Sequence, residues 1–485
     1  MSSSEASSTE RPLVVDLDGT LINTDLLHES TLKIIREHPL GALQLPFHLK
    51  SGKSRLKQYL ADNVQLMPET LPYNEPFLQW LRSQRDHGRQ LILCTASNQG
   101  FAEDVAGFLG IFDDVIASDS SRNIKGDRKA EILCERFGKG GFDYAGDSYS
   151  DLPVWRNSGG AILVNTPDKL KKTVASSDCD IVEIFEKSKL TIGQWSRAIR
   201  VQQWLKNLLL FAPVLAAHRI TETQSLGLLI VAFFAFSFVA SATYLVNDLL
   251  DLESDRLHPR KKSRLLAAGL ISIPKAILMA AGLLSSGLFL GYFISDSFFL
   301  CLIIYLFITC TYSLILKRVT LLDCMVLAVL YTLRIIAGAA AIGMGLSFWL
   351  LAFSAFLFTS LALIKRYAEL EVQLLEGREK VHGRGYLTSD APLLQTLGVT
   401  SGFAAVLVLS LYLNSDEVVV LYEVPQVVWG AVLVLLYWIS WMWMQAHRGL
   451  MHDDPLVFAI KDKTSLFAGA VFLSILLLGG MLPSW

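Results

Sequence analysis

From Trp204 onward, apolar runs of 15–24 residues recur, separated by short polar loops. A bilayer core takes roughly 20 apolar residues of helix. In lipid every backbone N–H and C=O must be bonded internally, which leaves a chain of this pattern one solution, a bundle of membrane helices. Nine spans are predicted, near 204–218, 225–246, 271–294, 297–316, 320–343, 347–364, 393–414, 425–446 and 465–482, the first being the shortest. Loops at 247–270, 365–392 and 447–464 carry Arg260, Lys262, Arg378, Lys380, Arg384, Arg448, Lys461 and Lys463. The intervening loops hold Arg219, Asp296, Asp416, Glu417 and Glu423. Basic loops stay inside, so the first part of the chain is expected in the cytoplasm and Trp485 outside, with the protein in the inner membrane.

Residues 1–190 differ in kind. They hold 22 Lys+Arg and 27 Asp+Glu, about 26% charged, whereas residues 191–485 are about 13% charged. The first figure is ordinary for a soluble globular domain. The split excludes a wholly soluble enzyme, a disordered chain and a disulfide scaffold. The net charge of −2 sums two unlike bodies, and no nucleic-acid partner is expected. Six cysteines lie scattered with no C-x-x-C pair, which argues against a zinc or redox motif. The opening MSSSEASSTE reads as a disordered tail, residues 1–10, because a signal peptide needs an apolar core.

In the soluble half, RPLVVDLDGT (11–20), QLILCTAS (90–97) and FDYAGDSYSD (142–151) read as buried strands running out into polar loops, with amphipathic stretches such as 128–139 between them. Alternating strands and helices imply a parallel sheet with helices on both faces. Active groups gather beyond the carboxyl ends of such strands, where Asp16, Asp18, Thr95, Asp147 and Asp151 fall. Clustered carboxylates repel unless a cation such as Mg2+ neutralises them, and Mg2+ favours oxygen ligands, water and phosphate. The plain alternative is a strand end with solvated acids.

Residues 11 to about 165 resemble the haloacid dehalogenase-like (HAD) phosphatase superfamily on four motifs: DLDGT, LCTAS, a lysine opening a helix, and GDSYSD. The resemblance implies Asp16 as nucleophile, Asp18 as general acid/base and Thr95 as the second-motif residue. It makes Asp147 a metal ligand, with Asp16 and Asp18 at the same Mg2+ and Asp151 at the substrate. Lys129 best fits the third motif, with Lys125 as the competitor. Residues 24–88 are expected to form a small helical cap, and 166–195 a linker to a membrane domain at 196–485.

In the membrane half, Asn247, Asp251 and Asp255 are spaced i, i+4, i+8, which puts them on one helix face. Three stacked oxygen donors suit Mg2+ on a diphosphate, and Arg256, Lys261 and Arg264 follow as cations for phosphate oxygens. A solvated acidic-then-basic loop is the alternative. This half, about 194–482, resembles the UbiA-type intramembrane prenyltransferases, nine helices around a lipid-open cavity. The usual second motif has paired aspartates. Here Asp323 stands alone, with Tyr312, Lys317 and Arg334 nearby in sequence.

Within that superfamily, QWLKNLLLFAP (203–213), NDLLDLESDRLHPRKKSR, LKRVTLLD, KRYAEL (365–370) and HDDPLVFAIKD (452–462) resemble the decaprenyl-phosphate phosphoribosyltransferases. The resemblance implies phosphoribosyl diphosphate as donor and a polyprenyl phosphate as acceptor, with Lys206 among the substrate contacts. Lys365 and Arg366 are candidates for the donor's 5-phosphate, although Glu369 could simply pair with Lys365. His382 and His447 read as ordinary interfacial histidines. The expected product keeps a 5-phosphate that the HAD-like domain could remove. The architecture expected is an α/β HAD-like (Rossmannoid) domain with a helical cap, then an all-α nine-helix UbiA-type bundle. The alternative function is prenyl transfer to an aromatic acceptor, with the HAD-like domain regulatory or acting on another phosphomonoester.

Overall fold

Three runs of consecutive apolar residues form the centre of a sheet, because only a strand covered on both faces can be apolar at every position. The computed structural model describes residues 11–119, 122–177, 179–217, 219, 222–375, 377, 385–415, 425–451 and 454–481. The tail 1–10, Arg378, Lys380, His382, Arg384, Asp416, Glu417, Glu423 and Trp485 lie outside the described residues. Contacts divide the chain into two units. One comprises residues up to Ala198 with Leu245–Met279; the other comprises Ile199–Tyr244 with residues from Ala280 onward.

The first unit starts with β1 (Leu13–Val15), fully buried. Helices α1 (Leu26–Glu37), α2 (Pro39–Ala42), α3 (Leu45–Lys50), α4 (Lys53–Asn63) and α5 (Glu75–Asp86) follow. Then come β2 (Leu91–Asn98), α6 (Gln99–Leu109), β3 (Asp114–Ser118), α7 (Asp127–Phe137), β4 (Asp143–Gly146), α8 (Leu152–Trp155), β5 (Gly160–Val164), α9 (Asp168–Ala175), β6 (Asp180–Phe185) and α10 (Ile192–Ala198). The strands pair in parallel in the order β3-β2-β1-β4-β5-β6. This places the DLDGT strand between the strand that carries Thr95 and the strand that runs out to Asp147.

Two expected boundaries move. The cap keeps its own small core of Ile34, Leu56, Leu60 and Val64. Its expected last helix, α5, instead sends Phe77, Leu78 and Leu81 into the sheet's core. The expected linker 166–195 contains α9 and a sixth strand, β6, paired to β5, so the coil between sheet and α10 is only 186–191. An edge strand has one unpaired side and tolerates acids such as Asp180 and Glu183, which is why DIVEIF does not read as a core strand.

The polar segment of this unit continues from the end of α12 (Thr223–Leu250) through α13 (Leu252–Leu257). The second unit contains α11 (Ala212–Ala216), most of α12, α14 (Ile273–Ile294, from Ala280), α15 (Asp296–Leu314), α16 (Leu322–Ala341), α17 (Phe348–Leu375), α18 (Ala391–Leu413), α19 (Pro425–His447), α20 (Pro455–Lys461) and α21 (Lys463–Met481). Seven helices are long and apolar enough to cross a membrane, and α20 with α21, bent by 84°, makes an eighth candidate among the described residues. Phe289, Phe293 and Phe307 are exposed on these helices, as lipid-facing side chains would be.

The first expected span, 204–218, is not an α-helix of spanning length. It is a 3-10 helix, Val201–Phe211, followed by the five residues of α11. It runs antiparallel along α12. Trp204 Nε1 donates to Ser241 Oγ at 2.9 Å, Asn207 Nδ2 to Ser237 Oγ at 2.9 Å, and Phe211 meets Phe233 with ring centroids 6.5 Å apart. A 3-10 helix rises about 2 Å per residue, so this short segment covers the distance of a longer α-helix.

Candidate functional sites

At the carboxyl edge of the sheet the chain leaves β1 at Asp16, and Lys129 of α7 reaches it, Nζ to Oδ1, at 3.0 Å. Lys129 also donates to the Tyr144 hydroxyl at 2.8 Å, and that hydroxyl donates to Asp151 at 2.8 Å. Asp151 accepts in addition from the backbone and hydroxyl of Ser148, at 3.1 and 3.0 Å. Of the two lysines the sequence left open, the structure therefore brings Lys129 to Asp16. Tyr144 was not foreseen. Its only sequence signal is a tyrosine, where an aliphatic residue would serve, on a strand otherwise read as core.

Oxygens of Asp16, Asp147 and Asp151 lie within 4.8 Å of one another. Gly19 allows this. Its φ of +78° suits glycine, and a Cβ there would stand 2.3 Å from an Asp147 oxygen. Burial pushes Asp16 up to about 6 against the pull of Lys129, and burial with the charges of Asp16 and Asp151 pushes Asp147 up to about 8. For Lys129, burial alone would lower the pKa, but Asp16 and Asp151 hold it above the usual lysine value. Three crowded carboxylates, of which Asp16 and Asp147 resist ionisation, form a donor set suited to a hard divalent cation.

The expectation for Asp18 changes. Its carboxylate is not in that group. Oδ1 accepts the Leu26 N–H at 2.8 Å, and Oδ2 accepts Ser97 Oγ at 2.5 Å and Thr95 Oγ1 at 3.5 Å. Its partners are the first amide of α1 and two hydroxyls of β2. Burial, followed by the charge of Asp25, pushes it up to about 7, which suits a proton donor near neutrality. Asp151, expected at the substrate, is instead among the metal-capable carboxylates.

On the segment 247–264, α12 ends at Leu250, Asp251 is the junction (φ −99°, ψ 11°), and α13 starts at Leu252. Helical bonds continue across it, Asp251 N to Asn247 O at 2.9 Å and Asp255 N to Asp251 O at 2.8 Å. The backbone is therefore helical through Asn247 and Asp255, with a break at Asp251. The cations are placed differently from expectation. Arg264 lies on Asp255 at 2.5 Å and on Asp248 at 3.1 Å, and Lys261 is 3.9 Å from Asp255. Arg256, expected on phosphate, is bonded through both Nη atoms to Glu29 and through Nε to the Ala267 carbonyl. A guanidinium buried in a bidentate pair is committed to that partner.

The bundle separates the remaining expected residues into two groups. Asp323 and Arg366 form an ion pair whose side chains are both fully buried; Tyr386 also donates to Asp323, and Arg366 also meets Glu369. Asp323 is expected among the substrate-binding residues and Arg366 at the 5-phosphate. In the structure they pair with each other. Tyr312 and Lys317 are half-buried at the end of α15 and in the 3-10 turn Leu316–Arg318. The second group lies elsewhere in the bundle. Lys206 and Lys365 converge on one Asp454 oxygen at 2.8 and 3.4 Å, and the Tyr331 hydroxyl donates to the same carboxylate at 3.2 Å. Arg334 donates to Asn207 at 2.9 Å and lies over the rings of Phe236, Tyr305 and Tyr331. Asn207, Tyr331 and Asp454 were not singled out from sequence, although Asp454 stands in the HDDP run. Ionisable groups inside an apolar bundle are costly and mark functional positions.

Residues 208–458 match the model of the UbiA prenyltransferase family, and residues 13–156 that of haloacid dehalogenase-like hydrolases. The protein y4nM of Sinorhizobium fredii is 37% identical over 464 residues, covering 96% of this chain and 90% of that protein. Nodulation protein NoeC of Azorhizobium caulinodans is 36% identical over 280 residues, 58% of this chain and 91% of that protein. The decaprenyl-phosphate phosphoribosyltransferase of Corynebacterium glutamicum is 36% identical over 200 residues, 40% of this chain and 59% of its own length.

Proposed function

The chain belongs to the UbiA prenyltransferase family and carries a HAD-like domain ahead of the membrane helices, and we propose that it makes a lipid-linked pentose in two steps. In the first, an oxygen of a polyprenyl phosphate attacks the anomeric carbon of phosphoribosyl diphosphate. The bond from that carbon to the pyrophosphate oxygen breaks, and pyrophosphate leaves. Asn247, Asp251 and Asp255 would hold Mg2+ on the diphosphate, with Lys261 and Arg264 moving from carboxylate to phosphate. Lys206, Arg334 and Lys365 supply positive charge to an anionic substrate. Support comes from the relative in Corynebacterium and from the cations Lys206 and Arg334 buried in the bundle.

In the second step, a carboxylate oxygen of Asp16 attacks the 5-phosphate, and Asp18 gives its proton to the departing ribose oxygen. Water then splits the phosphoaspartate and releases phosphate. Asp16, Asp147 and Asp151 would hold Mg2+, which with Lys129 offsets charge on the transferring group. The observation that carries this reading is the Asp16–Lys129–Asp147–Asp151 constellation on a chain whose relatives include phosphoribosyltransferases. The product would serve cell-envelope glycan synthesis.

We place the HAD-like domain and the basic loops in the cytoplasm. We also read the 3-10 segment Val201–Phe211 with α11 as the ninth crossing, because it pairs antiparallel with α12. The test of function is the mass of lipid products made by the purified full chain from polyprenyl phosphate and phosphoribosyl diphosphate. Wild type should release pyrophosphate and phosphate and yield ribosyl lipid. Asp16→Asn should yield phosphorylated ribosyl lipid and pyrophosphate only. Identical phosphorylated lipid from both proteins would refute the second step. Prenyl transfer to an aromatic acceptor, with phosphoribosyl diphosphate ignored, would refute the first.

A further inference from the structure

Helix α1 is held at three successive points along its length. Its first amide, Leu26 N–H, bonds Asp18. About one turn on, Glu29 takes both Nη atoms of Arg256, at 2.7 and 3.1 Å. Another turn on, Lys33 meets Glu253 at 2.7 Å. Glu29 and Lys33 are four apart and so share a face of α1, as Glu253 and Arg256, three apart, share a face of α13. The charges run acid then base on one helix, and the opposing pair is base then acid. A slip of one turn would set like charges against each other, so this pattern admits a single register.

The contact is built like an interior. The Glu29 and Arg256 side chains are each only 8% exposed. Thr24 Oγ1 gives Glu29 a further bond at 2.6 Å, and the Ala267 carbonyl takes the Arg256 Nε–H at 2.9 Å. Beside it, Gly269, at φ +70°, approaches Asn23 so closely that a Cβ would stand 2.7 Å from Asn23 atoms. Asn23 and Thr24 belong to the turn after the nucleophile, where Gly19 N–H bonds the Thr24 carbonyl at 3.0 Å. Exposed ion pairs contribute little, but a desolvated, fully bonded pair costs enough to form that its usual benefit is a fixed register.

We propose that Glu29 and Lys33 are positioning residues that lock the segment carrying Asp251 and Asp255 to the phosphatase turn, so that the phosphorylated lipid is dephosphorylated before it is released. This rests on the two-step reading above. The HAD-like domain is then more than a tethered neighbour. Through α1, the segment that binds the diphosphate and the Asp18 carboxylate belong to one rigid piece.

The test uses the full chain in lipid nanodiscs with polyprenyl phosphate and phosphoribosyl diphosphate. It compares Lys33→Glu, Glu253→Lys and the double swap, none of which touches a proposed catalytic or ligand residue. Three quantities are read: hydrogen exchange of residues 252–257, the ratio of phosphorylated to dephosphorylated ribosyl lipid, and hydrolysis of p-nitrophenyl phosphate. Each single variant should exchange at least about fivefold faster there and raise the ratio by a similar factor. Hydrolysis of the small ester should stay at the wild-type rate, and the double swap should restore both other readouts. Unchanged exchange in the single variants, an unchanged product ratio, or a loss that the swap fails to restore would overturn the proposal. If wild type forms no dephosphorylated lipid, the two-step reading fails instead, while the exchange data still decide whether the lock exists.

Discussion

The sheet edge and the membrane bundle each gather charge, with opposite imbalance. At the sheet edge four carboxylates, Asp16, Asp18, Asp147 and Asp151, crowd together, Lys129 pairs with Asp16 and Asp151, and Asp16, Asp18 and Asp147 respond by resisting ionisation. Among the described residues of the bundle, Lys206 and Lys365 converge on the carboxylate of Asp454, and Arg334 is bonded to Asn207. A surplus of buried acid favours a cation, and a surplus of buried base favours an anion. Arg366 is instead paired with both Asp323 and Glu369, and the Asp323 and Arg366 side chains are sealed from solvent.

The comparison can be broken at its strongest point first. Lys129→Met should cut phosphomonoester hydrolysis roughly a hundredfold or more, the scale for losing one group that stabilises developing charge, and leave pyrophosphate release intact. Asp251→Asn should do the converse, lowering pyrophosphate release by roughly a hundredfold while hydrolysis of a small phosphomonoester continues. Colorimetric phosphate and pyrophosphate assays on the same preparations check both. Parallel loss of both activities in either variant would mean the two regions are not separate sites.

A second contrast lies inside the bundle. Arg366→Met should destabilise the chain by about 3–5 kcal/mol, since it strands the buried Asp323, and thermal unfolding in detergent would register it. Lys365→Met leaves Lys206 on Asp454. It should unfold nearly as wild type but raise the KM for phosphoribosyl diphosphate about tenfold, the scale for removing one charged contact to an anion. If Arg366→Met unfolds normally and loses donor affinity, Arg366 is a ligand and not a strut.

The smallest effect is on pH. Folded Asp16, Asp18 and Asp147 hold protons up to about 6, 7 and 8, whereas unfolded carboxyls release them near 4. The folded, metal-free domain therefore binds more protons than the unfolded chain across that window, and its stability should rise as pH falls from 8 toward 5. Mg2+ must displace those protons. Its affinity should weaken by up to about tenfold per pH unit for each proton displaced, as titration calorimetry at pH 8, 7 and 6 would show. An affinity that stays flat would mean that these carboxyls are already ionised in the metal-free protein.

Much of this was legible in the chain. Strand exits at Asp16 and Asp147 follow from runs that stop at polar residues, and membrane helices follow from run length, because both signals are local, whereas β2 continues past Thr95 to Asn98. The edge strand β6 was not legible, since pairing on one side leaves its acids exposed and its pattern close to that of a linker. The first expected span, 204–218, takes another form for a related reason. Its 3-10 geometry depends on Trp204 and Asn207 finding Ser241 and Ser237 on α12, partners more than 29 residues away.

Sequence alone determined which residue types stand at each strand or helix end, and hence that this chain joins a carboxylate-rich soluble site to an apolar bundle with an Asn/Asp motif. Tertiary structure decided which charges are paired. Arg256 and Arg366 look like phosphate ligands in sequence, yet one meets Glu29 and the other Asp323. Lys206 and Lys365, 159 positions apart, share one carboxylate. A charge's role depends on the partner that replaces its lost water, and that partner is chosen by packing among segments distant in the chain.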